Sequence, residues 1–381
     1  MSRPVAELLT HGQALIAAGV PEAVETLLQP ELGNGTGPIP LWKLLALAYR
    51  RQGKFIPARR IQEMIVETVP GDLPARYDLA DTLLTLGEFE RGWREYQYRY
   101  HMPHTQGITR HIQRPRWTGQ PIPGQTLLIH DEQGYGDTFQ FIRLIRAARE
   151  RSQAQTVLIE VNREALSLVQ RSYPDFSVSV RGTIPPAFDL HCELMNLPMA
   201  IGLQMTDLPG THPYLQADPV RIAHWQQRLA SLPRPWIAMT WAGRPTHPND
   251  ANRSLSLDAL APLADSKGTF LAIQKGPAET QVAPRALNLI RLSREIRDFE
   301  DTAAILMLAD LLISVDSSPV HLAGALGRPA WVLLPFEAEW RWLSGREDTP
   351  WYPTHRLFRQ RKPGDWPGVM ARVKALTDRS E

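Results

Sequence analysis

Four stretches carry the side chains with chemistry to offer. "HDEQGYGDTFQF" (130 to 141) sets Gln133, Gly134 and Gly136 just before Asp137. Glycines let backbone approach a ligand closely, and a carboxylate at this point can take a proton from an attacking hydroxyl. The same aspartate reads equally as a helix cap with Gln140 as its capping-box partner. "WAGRPTHPNDANRSLSL" (241 to 257) offers Arg244, His247 and Arg253 in a polar loop. Arginine can neutralise a diphosphate with two parallel hydrogen bonds, although Arg244 and His247 taken singly also read as a solvated loop. "AIQKG" (272 to 276) ends a strand-like run with Lys275 before a glycine.

The fourth stretch, "LLISVDSSPVHLAGALG" (311 to 327), is an apolar run, then Asp316, Ser317 and Ser318, then a small-residue helix. Ser317 or Ser318 is expected to cap that helix, with Pro319 in its first turn. The first-turn amides of Ser318, Val320 and His321 would then carry the positive helix end and make a seat for an anion. Capping alone accounts for Ser-Pro. It does not account for Asp316 and His321 beside it.

These stretches need elements to aim them. From about residue 126, strand-like runs ("TLLIH", "TVLIEV", "FSVSV", "DLHCEL") alternate with helical patterns, and a helix "DPVRIAHWQQRLASLP" leads into a second series ("WIAMTWAG", "TFLAIQKG", "LNLIRLS", "DLLISVDSS", "AWVLLP"). Such alternation builds parallel sheets with helical crossovers. Two series predict an α/β chain with two Rossmann-like lobes, over 105–232 and 233–381. Ligands in such sheets bind beyond the carboxyl ends of the strands, where the four stretches lie. The last helix, about "DWPGVMARVKAL", is expected to pack back on the first lobe. In "EWRWLSGREDTPWYP", Trp340 and Trp342 read as packing residues and Arg341 as a cleft residue.

Residues 1–104 carry a repeat. Gly19, Gly53 and Gly87 are spaced by 34 (53 − 19 and 87 − 53), as are the pairs Pro40 and Pro74, Phe55 and Phe89, and Leu45 and Leu79. A helix–turn–helix unit explains the register: the glycine ends the first helix where a left-handed residue is needed. The period is that of the tetratricopeptide repeat, so 1–104 is expected to be an all-α repeat domain of a kind that usually binds partners. In the first copy Pro21 replaces the aromatic.

Bulk properties narrow the classes. The 381 residues predict more than one domain, and 42 basic against 40 acidic side chains give a net charge of +2, too balanced for a nucleic-acid reader. The one cysteine, Cys192, rules out a disulfide within the chain and zinc sites built of several cysteines. No signal peptide or bilayer-spanning run is legible, so a cytoplasmic protein is expected.

Taken together, "EQGYGDTFQFIRLI", "WAG…NRSLSL", "LAIQKGPAE", "LLISVDSSPVHLAGALGRPAWVLLP" and "EWRWLSGREDTPWYPTHRLFRQ" resemble bacterial tetratricopeptide-repeat glycosyltransferases with a family-9 (heptosyltransferase-like) catalytic region. The overall plan resembles O-linked N-acetylglucosamine transferases, and the resemblance covers nearly the whole chain. It implies a GT-B fold and an inverting, metal-independent transfer from a nucleoside-diphosphate sugar, with no cofactor. It assigns Asp137 as base, Arg253 as diphosphate contact, and Asp316, Ser317, Ser318 and His321 as donor sugar and phosphate contacts. Lys275 joins the donor-binding group, and Gln133, Gly134, Gly136 and Arg244 the cleft loops. Two departures stand out: arginine at 253 where lysine is frequent, and Ser-Ser-Pro in place of a Thr-Gly-Pro-like run, which removes the amide at 319. The repeats point to a protein acceptor; a lipopolysaccharide or polysaccharide acceptor stays open. So do a catalytically silent adaptor and a sugar-nucleotide epimerase or hydrolase on the same fold.

Overall fold

The computed structural model describes residues 3–102, 110, 112–208 and 213–378. The chain divides into two compact units: Met1–Thr109 with Phe336–Arg346, and Arg110–Pro335 with Glu347–Glu381.

The first unit is helical: α1 (Val5–Ala17), α2 (Glu22–Leu32), α3 (Ile39–Arg51), α4 (Phe55–Thr68), α5 (Leu73–Thr85) and α6 (Phe89–Tyr96). The 34-residue spacing has a direct backbone cause. Gly19, Gly53 and Gly87 adopt φ of 76°, 71° and 81°, a left-handed conformation that suits glycine. Each follows the end of a helix, and the next amide folds back on it: Val20 to Leu15 O (3.0 Å), Lys54 to Tyr49 O (2.9 Å) and Glu88 to Leu83 O (2.9 Å). Leu8, Val24, Leu28, Leu41, Leu44 and Ala48 form the core of the first helices.

Residues 336–346 pack on these helices. Trp340 lies edge-on to Trp93 (ring centroids 5.1 Å apart) and to Tyr96 (5.8 Å). The Ser344 amide donates to Thr85 O at 3.0 Å, and Glu337 pairs with Arg51. Trp340 and Trp342 are buried packing residues. Arg341, expected in the cleft, instead stacks over Trp340 at 4.3 Å and pairs with Glu339 within this unit. A short Trp-rich run has large apolar faces to bury, and the helical unit supplies the partners.

The second unit holds two parallel sheets. Its elements are β1 (Thr126–His130), α7 (Tyr135–Phe141), α8 (Ile145–Ser152), β2 (Thr156–Val161), α9 (Arg163–Ser172), β3 (Ser177–Val180), β4 (Leu190–Glu193), α10 (Leu197–Ile201) and α11 (Pro219–Leu229). Then come β5 (Trp236–Thr240), α12 (Asp250–Arg253), β6 (Thr269–Ala272), β7 (Leu289–Arg291), α13 (Phe299–Leu308), β8 (Leu311–Val315), α14 (Ser318–Ala325), β9 (Ala330–Leu334), β10 (His355–Arg359) and α15 (Trp366–Thr377). The strand orders are β3-β2-β1-β4 and β10-β9-β8-β5-β6-β7, with parallel pairing throughout. This is the α/β architecture expected, two parallel sheets with helical crossovers in two Rossmann-like lobes, preceded along the chain by an all-α region. Both sheets reverse their winding direction, the first between β1 and β4, the second between β5 and β8. Such switch points open crevices at the carboxyl ends of the strands.

The final helix departs from expectation. Val369, Met370 and Val373 of α15 belong to the core of the second sheet, with Ile237, Phe270 and Phe358. Its apolar face is spent there, and not on the first lobe. Among the described residues no helix is long and apolar enough to cross a membrane.

Candidate functional site

The loop from β1 to α7 is built around Asp131. This buried carboxylate accepts from the Asn162 amide (2.7 Å) and side chain (2.9 Å) and faces Arg181 at 3.4 Å. Burial nonetheless lifts it to about 6, against the opposing pull of Asn162 and Arg181. The bonds tie the end of β1 to the end of β2, fixing where α7 begins. Gly134 is the N-cap of α7, and Asp137 sits three residues in, accepting from the Gly134 amide at 2.9 Å. Asp137 is therefore the inner member of the capping box. Gln140 is buried further along the helix. Gln133, Gly134 and Gly136 line the same turn, half-buried.

Gly136 approaches a side chain. A Cβ there would stand 2.8 Å from Cδ2 of His321, so the absence of one lets α7 lie against α14. This contact joins the loop after β1 to the loop after β8. Tyr135 and Phe139 of α7 each pack on Phe299 at 4.8 Å, reinforcing the seam between the two sheets.

After β8, Asp316 is 8% exposed and lies 3.7 Å from Nε2 of His321. Nδ1 of His321 meets the Tyr352 hydroxyl at 2.9 Å, which orients the ring with Nε2 toward Asp316. Tyr352 in turn occupies the space over Gly324, where a Cβ would stand 2.1 Å from its ring. Ser317 is the N-cap by position, yet its hydroxyl turns back to Val315 O (3.3 Å) and Ser314 (3.3 Å) and caps nothing. The Val320 amide is used by Ser317 O at 3.0 Å, which removes one of the three amides expected to face an anion. Ser318 occupies the first helical position, where the amide has no partner within the helix.

The loop after β5 is ordered by a side chain that motif reading passed over. The buried amide of Gln274 accepts from the Trp241 and Ala242 amides (3.0 Å each) and donates to Ala242 O (3.0 Å) and Lys275 O (2.8 Å). Ser254 closes the loop, accepting from the Gly243 amide (2.9 Å) and donating to Asp250 (3.0 Å). A Cβ on Gly243 would lie 2.7 Å from the Arg253 guanidinium, so this glycine leaves room for the arginine. Arg253 is 14% exposed, lies 3.6 Å from Asp250, and its buried Nε has no hydrogen-bond partner. His247 is held below the usual imidazole range by burial, then by Arg253, while Asp316 and Asp250 pull the other way. Arg244 is exposed and close enough to act on both His247 and Tyr135. The second sheet thus gathers Arg244, His247, Arg253 and Asp316.

Lys275 does not join them. Its ammonium donates to Ser293 O (2.6 Å) and Ile296 O (3.1 Å), bracing the turns that follow β7. Gln274 was legible in principle, as the polar residue that closes a buried strand. Tyr352 was not, because nothing local links it to a histidine 31 positions away.

The assembled seam has a carboxylate at the start of α7, a clamped histidine and aspartate at the start of α14, and a desolvated arginine after β5. Such a set can hold an anionic leaving group and deprotonate a hydroxyl.

No protein-family model matches the sequence. Protein FlbA of Caulobacter vibrioides is 28% identical over 341 residues, covering 81% of this chain and 56% of that protein. This chain thus corresponds to little more than half the length of that relative. Among solved structures, the chain is similar to Escherichia coli ADP-heptose LPS heptosyltransferase II (14% identity, 67% of this chain and 99% of that one, TM-score 0.48). A family-9 glycosyl transferase of Veillonella parvula aligns at 10% identity over 68% and 97%, with TM-score 0.46. An O-GlcNAc transferase of Thermobaculum terrenum aligns at 14% over 100% and 94%, with TM-score 0.30.

Proposed function

We propose that the chain is an inverting glycosyltransferase that moves a sugar from a nucleoside-diphosphate donor to an acceptor hydroxyl without a metal in the chemical step. The observation that carries the reading is the meeting of α7 and α14 through Gly136 and His321, which brings Asp137, Asp316 and the Arg253 loop to one seam. In the reaction, an Asp137 carboxylate oxygen takes the proton of the acceptor hydroxyl. The acceptor oxygen bonds to the anomeric carbon from the face opposite the diphosphate, and the anomeric carbon–oxygen bond breaks with its electron pair on the leaving phosphate. Arg253 and the Ser318 amide receive that charge. Preorganised donors of this kind stabilise a transition state by a few kcal/mol each. Asp316 and His321 engage the donor sugar, His321 being held in orientation by Tyr352. The 34-residue helical repeats support a polypeptide acceptor engaged by a tetratricopeptide-like array, on surfaces left open by residues 336–346.

Thermal shift of the full chain with UDP, GDP, ADP, CMP and their sugar conjugates tests the donor site. One nucleoside diphosphate is expected to raise the melting temperature; a ligand at a hundred times its Kd adds about 2.7 kcal/mol. Silence across the whole panel would overturn the reading in favour of a non-catalytic adaptor.

A further inference from the structure

A second constellation lies in the first sheet, apart from the seam. In its register His130 of β1 pairs with Glu160 of β2 on one side and with Glu193 of β4 on the other, and His191 lies two residues before Glu193. Side chains alternate along a strand, and paired residues share a face. His130, Glu160, His191 and Glu193 therefore share one face at the carboxyl ends of three strands. All four are buried, at 1%, 0%, 4% and 5% exposure.

We propose that His130, His191 and Glu193 form a binding site for one divalent transition-metal ion of the zinc type. One ligand atom from each falls within 4.8 Å of the others. Nε2 of His130 and Nδ1 of His191 are 3.1 Å apart. Two imidazole nitrogens on one tetrahedral zinc, each about 2.0–2.1 Å from the ion, stand about 3.3 Å apart. The pair is thus at the spacing of two ligands, here bridged by a hydrogen bond; for both to ligate, its proton moves to Nε2 of His191 and Glu193 closes in.

The surroundings orient these groups as a metal site requires. Nδ1 of His130 faces Asp131 O at 3.4 Å, which favours a bare Nε2 toward His191. Glu193 is held by Arg116 (Nη2 at 2.6 Å, Nε at 2.8 Å) and by Asn196 (2.8 Å), the outer support expected of a ligating carboxylate. Glu160 is wholly buried beside His130, but Arg110 already pairs with its Oε1, so its charge is met without an ion and it stays outside the ligand set. Two imidazoles select a zinc-like ion over magnesium or calcium, which favour oxygen ligands. The ion would cross-link β1 and β4 and takes no part in the sugar transfer proposed above.

The test is titration of the EDTA-dialysed full chain with Co2+, followed by visible absorption, and then with Zn2+ in competition. One equivalent is expected to bind, Zn2+ is expected to displace Co2+, and the zinc K-edge spectrum should carry imidazole scattering. His130→Gln and His191→Gln, each checked for a native circular dichroism spectrum, are expected to weaken binding by about a hundredfold. If either variant fails to fold, the wild-type stoichiometry and edge spectrum decide alone. Absence of stoichiometric uptake by the folded wild type, an edge without imidazole, or unchanged uptake by both folded variants would overturn the site.

Discussion

Arg253 carries the anion-binding part of the proposal at the scale of one side chain. Its guanidinium is mostly enclosed, lies against a glycine that leaves it room, and its Nε has no hydrogen-bond partner, with Asp250 3.6 Å away. Taking a cation out of water without full pairing costs free energy, which an incoming diphosphate would return. Arg253→Ala is therefore expected to lose about tenfold to a hundredfold in nucleoside-diphosphate affinity, read by calorimetry, while the melting temperature of the unliganded chain holds. Unchanged affinity would remove Arg253 from the donor site. At this scale the placement of Asp137, Arg253, Asp316 and His321 in the segments that follow buried strands was legible, since parallel sheets bind ligands there; their roles belong to the proposal. Lys275 follows one too, but carbonyls beyond β7 claim it. Gly136 was read as a place for a ligand to approach, and it is a histidine ring that does so. The positions were visible in one dimension; the partners come from segments far away in the chain.

Among the elements, residues 336–346 depart most from a reading by consecutive domains. They interrupt the second sheet series between β9 and β10 and contribute their aromatic rings to the helical unit. Hydrophobic pattern alone marks such a run as buried and does not say against what. Trp340→Ala removes a ring that is 2% exposed and in contact with Trp93 and Tyr96. A loss of about 3–5 kcal/mol is expected, measurable by urea unfolding followed by circular dichroism of the helices. A loss below about 1 kcal/mol would mean that the segment rests on the helices without bracing them. The repeat itself was legible in detail, because one left-handed glycine every 34 residues is a local requirement with a local signature.

For the molecule as a whole, composition predicted a folded, nearly neutral chain of more than one domain, and the alternation of strands and helices predicted its two parallel sheets. The winding of each sheet and the seat of α15 were not legible, since they follow from how volumes fill around β5 and β8. Stability also belongs to this scale. His355 in β10 is buried, meets Val320 O at 3.0 Å, and is pressed by burial to about 4 from an ordinary 6.5. A depressed histidine contributes stability above its unfolded pKa and loses it as pH falls through the folded one. The stability of the wild type relative to His355→Gln is thus expected to fall by roughly 3 kcal/mol between pH 7 and pH 4. Parallel urea midpoints for the two proteins across that range would refute the assignment.

The central claim, that the seam between the two sheets transfers sugar with Asp137 as base, is tested most directly by a rate. Product formation from the nucleoside-diphosphate sugar that stabilises the chain is measured for the wild type and Asp137→Asn, with polypeptide and with glycan acceptors. The account predicts transfer by the wild type, and a loss of at least about a hundredfold in Asp137→Asn with donor binding retained. Equal rates for the two proteins would contradict it.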